Sequence, residues 1–227
     1  MPFVKNTNQT NFKLKSGMIV FLLLLSVYNA VSAGFSDFYY NHTQNHIKSW
    51  SENKKINTLI EYQSVKSAIL SATRLQSRNS VYKEKLASVL VWGYYSGYET
   101  KAALRQALEN FNDASALNPL RPWPLAEVVM TKWRLEEYDH DMLDAIKLLA
   151  IIGPNTPEAN LTVVNAGLKL ISKRPEFEQQ LRSIIIEHYL SAEYDGRITG
   201  QMRQIKRDYN NPEWLPELVY WRDKVQK

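Results

Sequence analysis

An uninterrupted apolar run near the N-terminus, Met18 to Leu25, constrains this chain more than any other feature. It continues less strongly to Val31, and the residues before Gly17 are polar and basic. Lys13 and Lys15 stand just before the run, and by the positive-inside rule they keep the N-terminus in the cytoplasm. The sequence therefore predicts that the rest of the chain lies on the other side of a membrane.

Two fates of this segment stay open at the level of the sequence. Val31-Ser32-Ala33 has the small-residue pattern after which signal peptidase cleaves. Gly17–Ala33 is also just long enough to span a bilayer, because the lower limit for a spanning helix is about 17 residues. Phe35 and Phe38 follow at once, as aromatic residues do at a membrane surface. A cleaved signal peptide and a retained anchor both fit these observations.

Charge and cysteine content exclude several classes of function. The chain has 28 basic and 23 acidic residues, and three of the lysines but no acid lie in residues 1–33. The remaining residues therefore carry a net charge of only +2. A nucleic-acid-binding protein usually concentrates its basic residues in a patch, so we expect no nucleic-acid partner. The absence of cysteine excludes disulfides, thiolate metal sites and cysteine nucleophiles.

Helical periodicity dominates the chain after the apolar run. We expect one helix to about Ser51, a break around Asn53-Lys54-Lys55 and a new helix from about Ile56. From there, apolar residues recur at helical spacing, and no stretch shows the sustained two-residue alternation of a strand. The prolines between Pro119 and Pro175 stand near predicted helix starts or just past helix ends. The predicted fold class is all-α.

One segment carries the signature of a tetratricopeptide repeat (TPR), a helical hairpin of about 34 residues. The second helix of that unit reads small–x3–aromatic–x2–small–x4–Pro, and Ala107-x3-Phe111-x2-Ala114-x4-Pro119 matches it at every position. Partial copies end at Ser77 and at Pro154, and Gly97–Thr100 is predicted to hold extra residues between two helices. The sequence thus favours a TPR-like helical hairpin solenoid after one N-terminal hydrophobic segment. A generic helical bundle is the alternative.

The predicted organisation follows from these boundaries. Its parts are residues 1–16 as a cytoplasmic basic N-terminus, 17–33 as a transmembrane anchor or signal peptide, 34–55 as a juxtamembrane helix, 56–191 as the TPR-like repeat domain and 192–227 as C-terminal capping helices. In the last part, Ile198, Met202 and Ile205 share one helical face. Solenoids need such a cap at their ends. A final aromatic helix is predicted from Glu213 to Trp221.

In a TPR protein the first helix of each hairpin lines a groove that binds a partner. Counted from the matched positions, the groove residues are Glu84, Ser88, Trp92, Trp123, Met130, Trp133, Arg134, Glu158, Asn165 and Lys169. Trp and Arg are favoured anchors at protein interfaces. Trp133 and Arg134 form the strongest pair, because adjacent helical residues point in different directions and only one of them can be fully buried. The alternative is that the tryptophans lie in the core.

Motifs for catalysis or metal binding are absent from the sequence. It has no Gly-rich phosphate loop, no nucleophile elbow and no His-Glu-x-x-His motif. His42 and His46 have metal-like spacing but no evident third ligand. The acidic residues between Glu136 and Asp144 are expected to end one helix and cap the next. We therefore predict a protein that is not an enzyme and that has no metal and no cofactor.

The order of several motifs resembles one known family. They are Phe35-Ser-Asp-Phe-Tyr-Tyr40, Trp50, Ala114-x-Ala116-Leu-Asn-Pro119, Arg121-Pro-Trp123-Pro, Leu135-x2-Tyr138-Asp139 and Gly153-Pro154. With the N-terminal hydrophobic segment, this pattern resembles the VpsP-type polysaccharide-biosynthesis proteins of bacteria, over most of the chain up to about Leu190. The family offers no catalytic residues to carry over.

The resemblance implies an accessory role in making or exporting an exopolysaccharide of the biofilm matrix. The body would then be periplasmic, either anchored in the inner membrane by a single pass or released by signal cleavage. Its implied partners are other envelope polysaccharide-assembly proteins, with a glycan as a further candidate ligand. Two other hypotheses remain: a general envelope adaptor or chaperone, suggested by the groove residues, and an enzyme acting on envelope glycan, suggested only by the acidic cluster.

Overall fold

A computed structural model describes residues 7–193 and 195–209 of the chain. Over these residues the protein is all-helical and contains no strand, which confirms the predicted fold class. The helices are α1 (Thr7–Asn53), α2 (Leu59–Leu75), α3 (Ser80–Tyr95), α4 (Lys101–Leu117), α5 (Pro122–Leu135), α6 (His140–Ile152), α7 (Pro157–Lys173), α8 (Glu178–Glu193) and α9 (Thr199–Asp208). A short 3-10 helix, Pro175–Phe177, precedes α8.

The first helix joins segments that the sequence had divided. α1 is 47 residues long, so the hydrophobic segment and the predicted juxtamembrane helix are one rod of about 70 Å. No proline occurs between Pro2 and Pro119 to interrupt it. Gly34, the only glycine after Gly17 in α1, has no neighbouring atom near it and leaves the helix unbroken. The predicted boundary at residue 33 therefore falls inside a continuous helix.

The apolar segment of α1, residues 17–31, is exposed along its whole length. Within the described residues, α1 is the one helix long and apolar enough to cross a membrane, and a signal sequence would pass the same test. Side chains such as Phe21 and Leu24 are about three-fifths exposed, at 60% and 64%. A soluble domain rarely exposes a continuous apolar surface of this kind.

The second half of α1 packs against α2 as an antiparallel hairpin. At one end, Trp50 Nε1 donates a hydrogen bond of 2.8 Å to Glu61 Oε1. At the other end, Ser32 Oγ lies 3.4 Å from the carbonyl oxygen of Leu75. The turn between the helices begins at Lys54, whose φ of 57° ends α1 where the sequence placed a break. The domain boundary predicted at residue 56 thus separates two helices that pack together.

Each later helix packs against the next along the chain, and α5 also packs against α7. Contacts between pairs of residues give the relative directions of α1, α3 and α5. Tyr82, near the start of α3, donates a hydrogen bond to Asp37 of α1. Further along both helices, the ring centres of Trp92 and Trp50 lie 6.1 Å apart. Since both pairs advance in the same sense, α1 and α3 run in the same direction.

The direction of α5 follows in the same way. Arg121, just before α5, pairs with Glu84 near the start of α3. At the far ends of the two helices, the Arg134 guanidinium lies 5.9 Å from the centre of the Tyr95 ring. The helices α1, α3 and α5 are therefore parallel, and the turns before α3 and α5 lie at one end of the body.

The small and aromatic residues of the matched repeat are interior. Ala107, Phe111 and Ala114 have no exposed surface, and neither have Ala72, Ile146 and Leu149 of the partial copies. Small residues on α4 let α3 and α5 pack closely against it. The turn Gly97–Thr100 lies between α3 and α4, with Gly97 at a φ of 75° that favours glycine.

The C-terminal helix α9 packs onto α7 and α8. The N-cap residue Ile198 and the α9 residues Met202 and Ile205 are all buried, on the face that the sequence predicted to be apolar. The predicted final helix, Glu213 to Trp221, lies outside the described residues.

Gly93 is a position where a close approach requires glycine. A Cβ there would overlap the ring of Tyr62, which is 2% exposed and donates a 2.8 Å hydrogen bond to Glu99 Oε1. We expect Gly93→Ala to destabilise the fold by about 1–3 kcal/mol, because the ring is held on both sides and cannot move away without strain. Chemical unfolding followed by circular dichroism measures this change.

The matched control for this substitution is Gly200→Ala in α9. A Cβ at Gly200 meets open space. Alanine favours a helix over glycine by up to about 1 kcal/mol, so the control should be neutral or stabilising. Equal effects of the two substitutions would contradict the close approach of Tyr62.

Candidate functional site

A cavity of about 500 Å³ opens between α1, α3 and α5. Its lining residues are Ile47, Ser51, Lys85, Ser88, Val91, Trp92, Tyr95, Trp123, Glu127 and Arg134. We call it the α1–α3–α5 cleft. Its volume is within the range of sites that hold a small molecule or a few side chains of a partner.

Helical spacing explains why these side chains meet. On α3, Lys85, Ser88 and Trp92 follow one another at intervals of three and four residues, so they lie on one face. On α5, Trp123 and Glu127 are four residues apart and face α3. The opposite faces of both helices carry core residues. The parallel directions of α3 and α5 turn the two polar-aromatic faces toward each other.

Three aromatic side chains line the cleft. Trp92 is half-buried and rests on the fully buried Trp50 of α1. Tyr95 and Trp123 are 63% and 41% exposed. Large aromatic groups left in contact with solvent around a concavity are available to bind an apolar or aromatic group of a partner.

The charges of the cleft are partly paired. Arg134 Nη1 donates a 3.0 Å hydrogen bond to Glu127 Oε2. The same guanidinium lies over the Tyr95 ring at 5.9 Å, within the range of a cation–π contact. Lys85 Nζ lies 3.8 Å from Glu84 Oε1. Two cations and one carboxylate thus line the cleft itself, which favours an acidic group beside the apolar part of a partner.

Glu84 lies beneath the cleft and not on its surface. Its side chain is 1% exposed, and Glu84 Oε2 lies 2.6 Å from Arg121 Nη1. The two atoms are close enough for an ion pair, but their alignment falls short of a hydrogen bond. Burial raises the pKa of the Glu84 carboxyl, and the charges of Arg121 and Lys85 oppose that rise. The pair fixes the start of α5 against α3.

The structure divides the groove residues named from the sequence. Ser88, Trp92, Trp123 and Arg134 line the cleft together. Met130 is half-buried on α5 and is not among the lining residues.

Four other predicted groove residues lie toward α7. Trp133 is half-buried against the core, with Lys169 Nζ 6.0 Å from the centre of its ring. The backbone carbonyl of Asn165 is 3.4 Å from Tyr209 Oη, and Glu158 is exposed. None of these residues lines the cleft with Trp92 and Trp123, and α5 packs directly on α7 beside it. Trp133 and Arg134 do point in different directions, and Arg134 is the one that reaches the cleft.

Several lining residues were not named from the sequence. Lys85 and Tyr95 lie on the same face of α3 as Ser88 and Trp92, so extending that helical pattern could have found them. Ile47 and Ser51 come from α1, and nothing local in the sequence shows that α1 lies beside α3.

The residues weighed for catalysis and metal binding have structural partners. His46 Nδ1 lies 3.0 Å from Glu61 Oε1. The rings of His42 and His46 meet edge to face, with their centres 4.7 Å apart. Asp139 caps α6 by accepting a 2.9 Å hydrogen bond from the Met142 amide, and it pairs with Lys132. Across the described part of the chain, no group of three or more His, Cys, Asp or Glu side chains could hold a metal ion.

Comparison of the whole chain with protein-family models and with curated proteins found no match. A functional assignment for this chain therefore rests on the geometry of the cleft.

We expect Arg121→Ala to destabilise the fold by about 3 kcal/mol at neutral pH, because it leaves the buried Glu84 carboxylate without its closest counter-charge. This loss of folding free energy is at the low end of those expected when a buried ion pair is broken, since the Arg121 side chain is 36% exposed. A carboxyl whose folded pKa exceeds its unfolded value binds its proton more tightly in the native state, so stability rises as the pH falls. The loss should therefore be smaller at about pH 5 than at neutral pH.

Urea unfolding at the two pH values measures this difference. Arg121→Lys keeps a positive charge near Glu84 and should lose less stability than Arg121→Ala at neutral pH. An Arg121→Ala loss that is independent of pH would show that Glu84 does not carry the effect.

Proposed function

We propose that the protein is a non-enzymatic scaffold of the bacterial inner membrane, with its helical body in the periplasm, that binds a partner protein in the α1–α3–α5 cleft. The observation that carries this proposal is the cluster of Trp92, Tyr95 and Trp123 around a cavity of about 500 Å³. These aromatics stand beside Arg134, and Trp and Arg dominate the binding energy of many protein interfaces. A helix long and apolar enough to cross a membrane supports the location.

We infer a TPR-like arrangement of the hairpins. In a TPR stack the first helices of successive hairpins are parallel and line the concave face, while the second helices lie behind them. The cleft is lined by α1, α3 and α5, which are parallel, and α2 and α4 do not line it. The buried Ala107, Phe111 and Ala114 of α4 support the same arrangement.

The cleft favours a particular kind of partner segment. An aromatic or branched apolar side chain would fill the space between Trp92 and Trp123. An adjacent Asp or Glu would meet Arg134 and Lys85, whose present carboxylate neighbours, Glu127 and Glu84, leave donors available to it. We therefore expect a short partner segment in which an acidic residue is next to a large apolar one.

Substitutions in the cleft test the binding site. We expect Trp123→Ala and Arg134→Glu each to weaken partner binding by about 2 kcal/mol or more, the size of an interface hot spot. Trp123 is suitable because it is already 41% exposed, so its removal leaves the core intact. The partner is first captured from membranes with the full-length chain, and its affinity for each variant is then measured by calorimetry.

Glu158→Lys is the matched control. Glu158 was named as a groove residue from the sequence, but it is exposed and lies outside the cleft. The Glu158→Lys variant should bind the partner with the same affinity as the unmodified chain. Loss of binding in Glu158→Lys with full binding in Trp123→Ala would assign the site to the α7 surface instead.

The polysaccharide role is a narrower proposal, and the resemblance to VpsP-type proteins supports it. Within it, the partner is a polymerase, transferase or export component of an exopolysaccharide system. We expect deletion of the gene to abolish matrix exopolysaccharide, and complementation by Trp123→Ala or Arg134→Glu to fail at normal protein levels. Matrix carbohydrate is assayed directly. Normal matrix in the deletion strain would exclude this role and favour a general envelope adaptor or chaperone.

A further inference from the structure

Two exposed aromatic residues follow the end of the apolar half of α1. Ala33 closes the apolar stretch, and Phe35 and Phe38 follow it at 57% and 68% exposure. Aromatic side chains gather at the headgroup level of a bilayer. With α1 across a membrane, as in the proposed function, residues 33–38 therefore lie at the membrane surface.

The turn between α2 and α3 returns to that same level. The Leu75 carbonyl oxygen is 3.4 Å from Ser32 Oγ, and Tyr82 Oη donates a 2.5 Å hydrogen bond to Asp37 Oδ1. Residues 75–82 are thus held beside residues 32–37. Asp37 follows Ala33 by four residues, which is about 6 Å along the helix. A headgroup region is about 5–8 Å thick on each side of the hydrocarbon core, so the turn lies within or against it.

The chemistry of this turn suits an anionic lipid surface. Arg74, Leu75 and Arg78 are exposed on it. No acidic residue occurs in the chain between Glu61 and Glu84. Asp37, which faces the turn from α1, is engaged by the Tyr82 hydroxyl. The α2–α3 turn is therefore basic with one exposed leucine, and basic residues at a membrane surface attract anionic headgroups.

The same contacts bear on the fate of the hydrophobic segment. The bond after Ala33 lies inside α1, with Ser32 only 6% exposed against α2. Met18–Ala33 contains neither glycine nor proline to interrupt the helix before that bond. A helical, packed bond must unfold locally before a protease can cut it.

We propose that α1 is retained as a membrane anchor and holds the α2–α3 turn, residues 74–78, against the anionic headgroups of the bilayer. This inference rests on the membrane location in the proposed function but not on any partner of the cleft. It assigns a second surface to the protein, at the end of the body where α3 and α5 begin.

The absence of cysteine allows a direct test by single-site labelling. Ser77→Cys, in the exposed part of the turn, is labelled with a fluorophore in the full-length chain and reconstituted into vesicles of phosphatidylcholine and phosphatidylglycerol. A quencher attached to lipid headgroups should quench this label strongly. Lys55→Cys is the matched control, because α1 ends 20 residues past Ala33, about 30 Å along the helix. Equal quenching at the two sites would overturn the placement of the turn.

Charge reversal tests the role of the arginines. With the label at position 77 and the quencher attached only to phosphatidylglycerol headgroups, the pair Arg74→Glu and Arg78→Glu should lower quenching, because the turn no longer concentrates anionic lipid beside it. Each basic residue near an anionic surface is worth about fivefold in the population bound to it. The pair Lys54→Glu and Lys55→Glu, at the distant turn, should leave quenching unchanged. Quenching by the labelled phosphatidylglycerol that the arginine substitutions leave unchanged would overturn the contact with anionic headgroups.

Retention of the anchor is tested by the intact mass of the protein recovered from bacterial membranes. The full chain is expected. A mass lacking residues 1–33 would overturn retention. Such a result would leave the proposed function in place, because every residue that lines the α1–α3–α5 cleft follows residue 33, and partner binding can be measured on the same sample.

Discussion

The carboxylate of Glu61 holds the end of α1 against the start of α2, and the placement of the later helices depends on that contact. Glu61 accepts hydrogen bonds from Trp50 and His46 at 2.8 and 3.0 Å. Burial would raise the pKa of this carboxyl, but the hydrogen bonds from Trp50, His46 and Asn57 together outweigh burial and lower the pKa. The group is therefore ionised at neutral pH, where its hydrogen bonds are strongest. Trp50, which it orients, is fully buried and supports Trp92 of the cleft.

Because α1 is one uninterrupted helix, the hairpin of α1 and α2 also has a role outside the hydrophobic core. It connects the apolar segment rigidly to the body, with no linker between them. The directions of α3 and α5 follow from contacts with α1 and with each other, so the cleft has a defined orientation relative to the apolar segment. A chain with a flexible linker after residue 33 would leave that orientation open.

Local patterns in the sequence predict much of this structure. The signature from Ala107 to Pro119 places a helix with a small-residue face, and that face is buried. Ile198, Met202 and Ile205 form the buried face of α9 for the same reason. In each case the information lies within one helix, where a spacing of three and four residues decides which side chains share a face.

The sequence does not show which helix faces which. Ile47 reaches the cleft only because α1 packs beside α3, a contact between residues more than 30 positions apart in the chain. Trp123 and Trp133 look alike as exposed-face candidates on α5, yet one lines the cleft and the other packs near Lys169 of α7. That difference depends on the direct packing of α5 on α7, which no local pattern encodes. The polarity of the sequence changes at residue 33, but α1 continues through that position without a break.

The length of α1 beyond the apolar segment also sets a limit on what can reach the cleft. Ile47 follows Ala33 by 14 residues, so with α1 upright across a bilayer this wall of the cleft stands about 21 Å above the hydrocarbon. An extended chain covers at most about 3.6 Å per residue. A neighbouring membrane protein would need about six residues to rise to Ile47 and as many to return. On the proposed membrane placement, the cleft therefore favours partners that have a long loop or a folded domain on that side of the membrane over proteins that have only tight turns there.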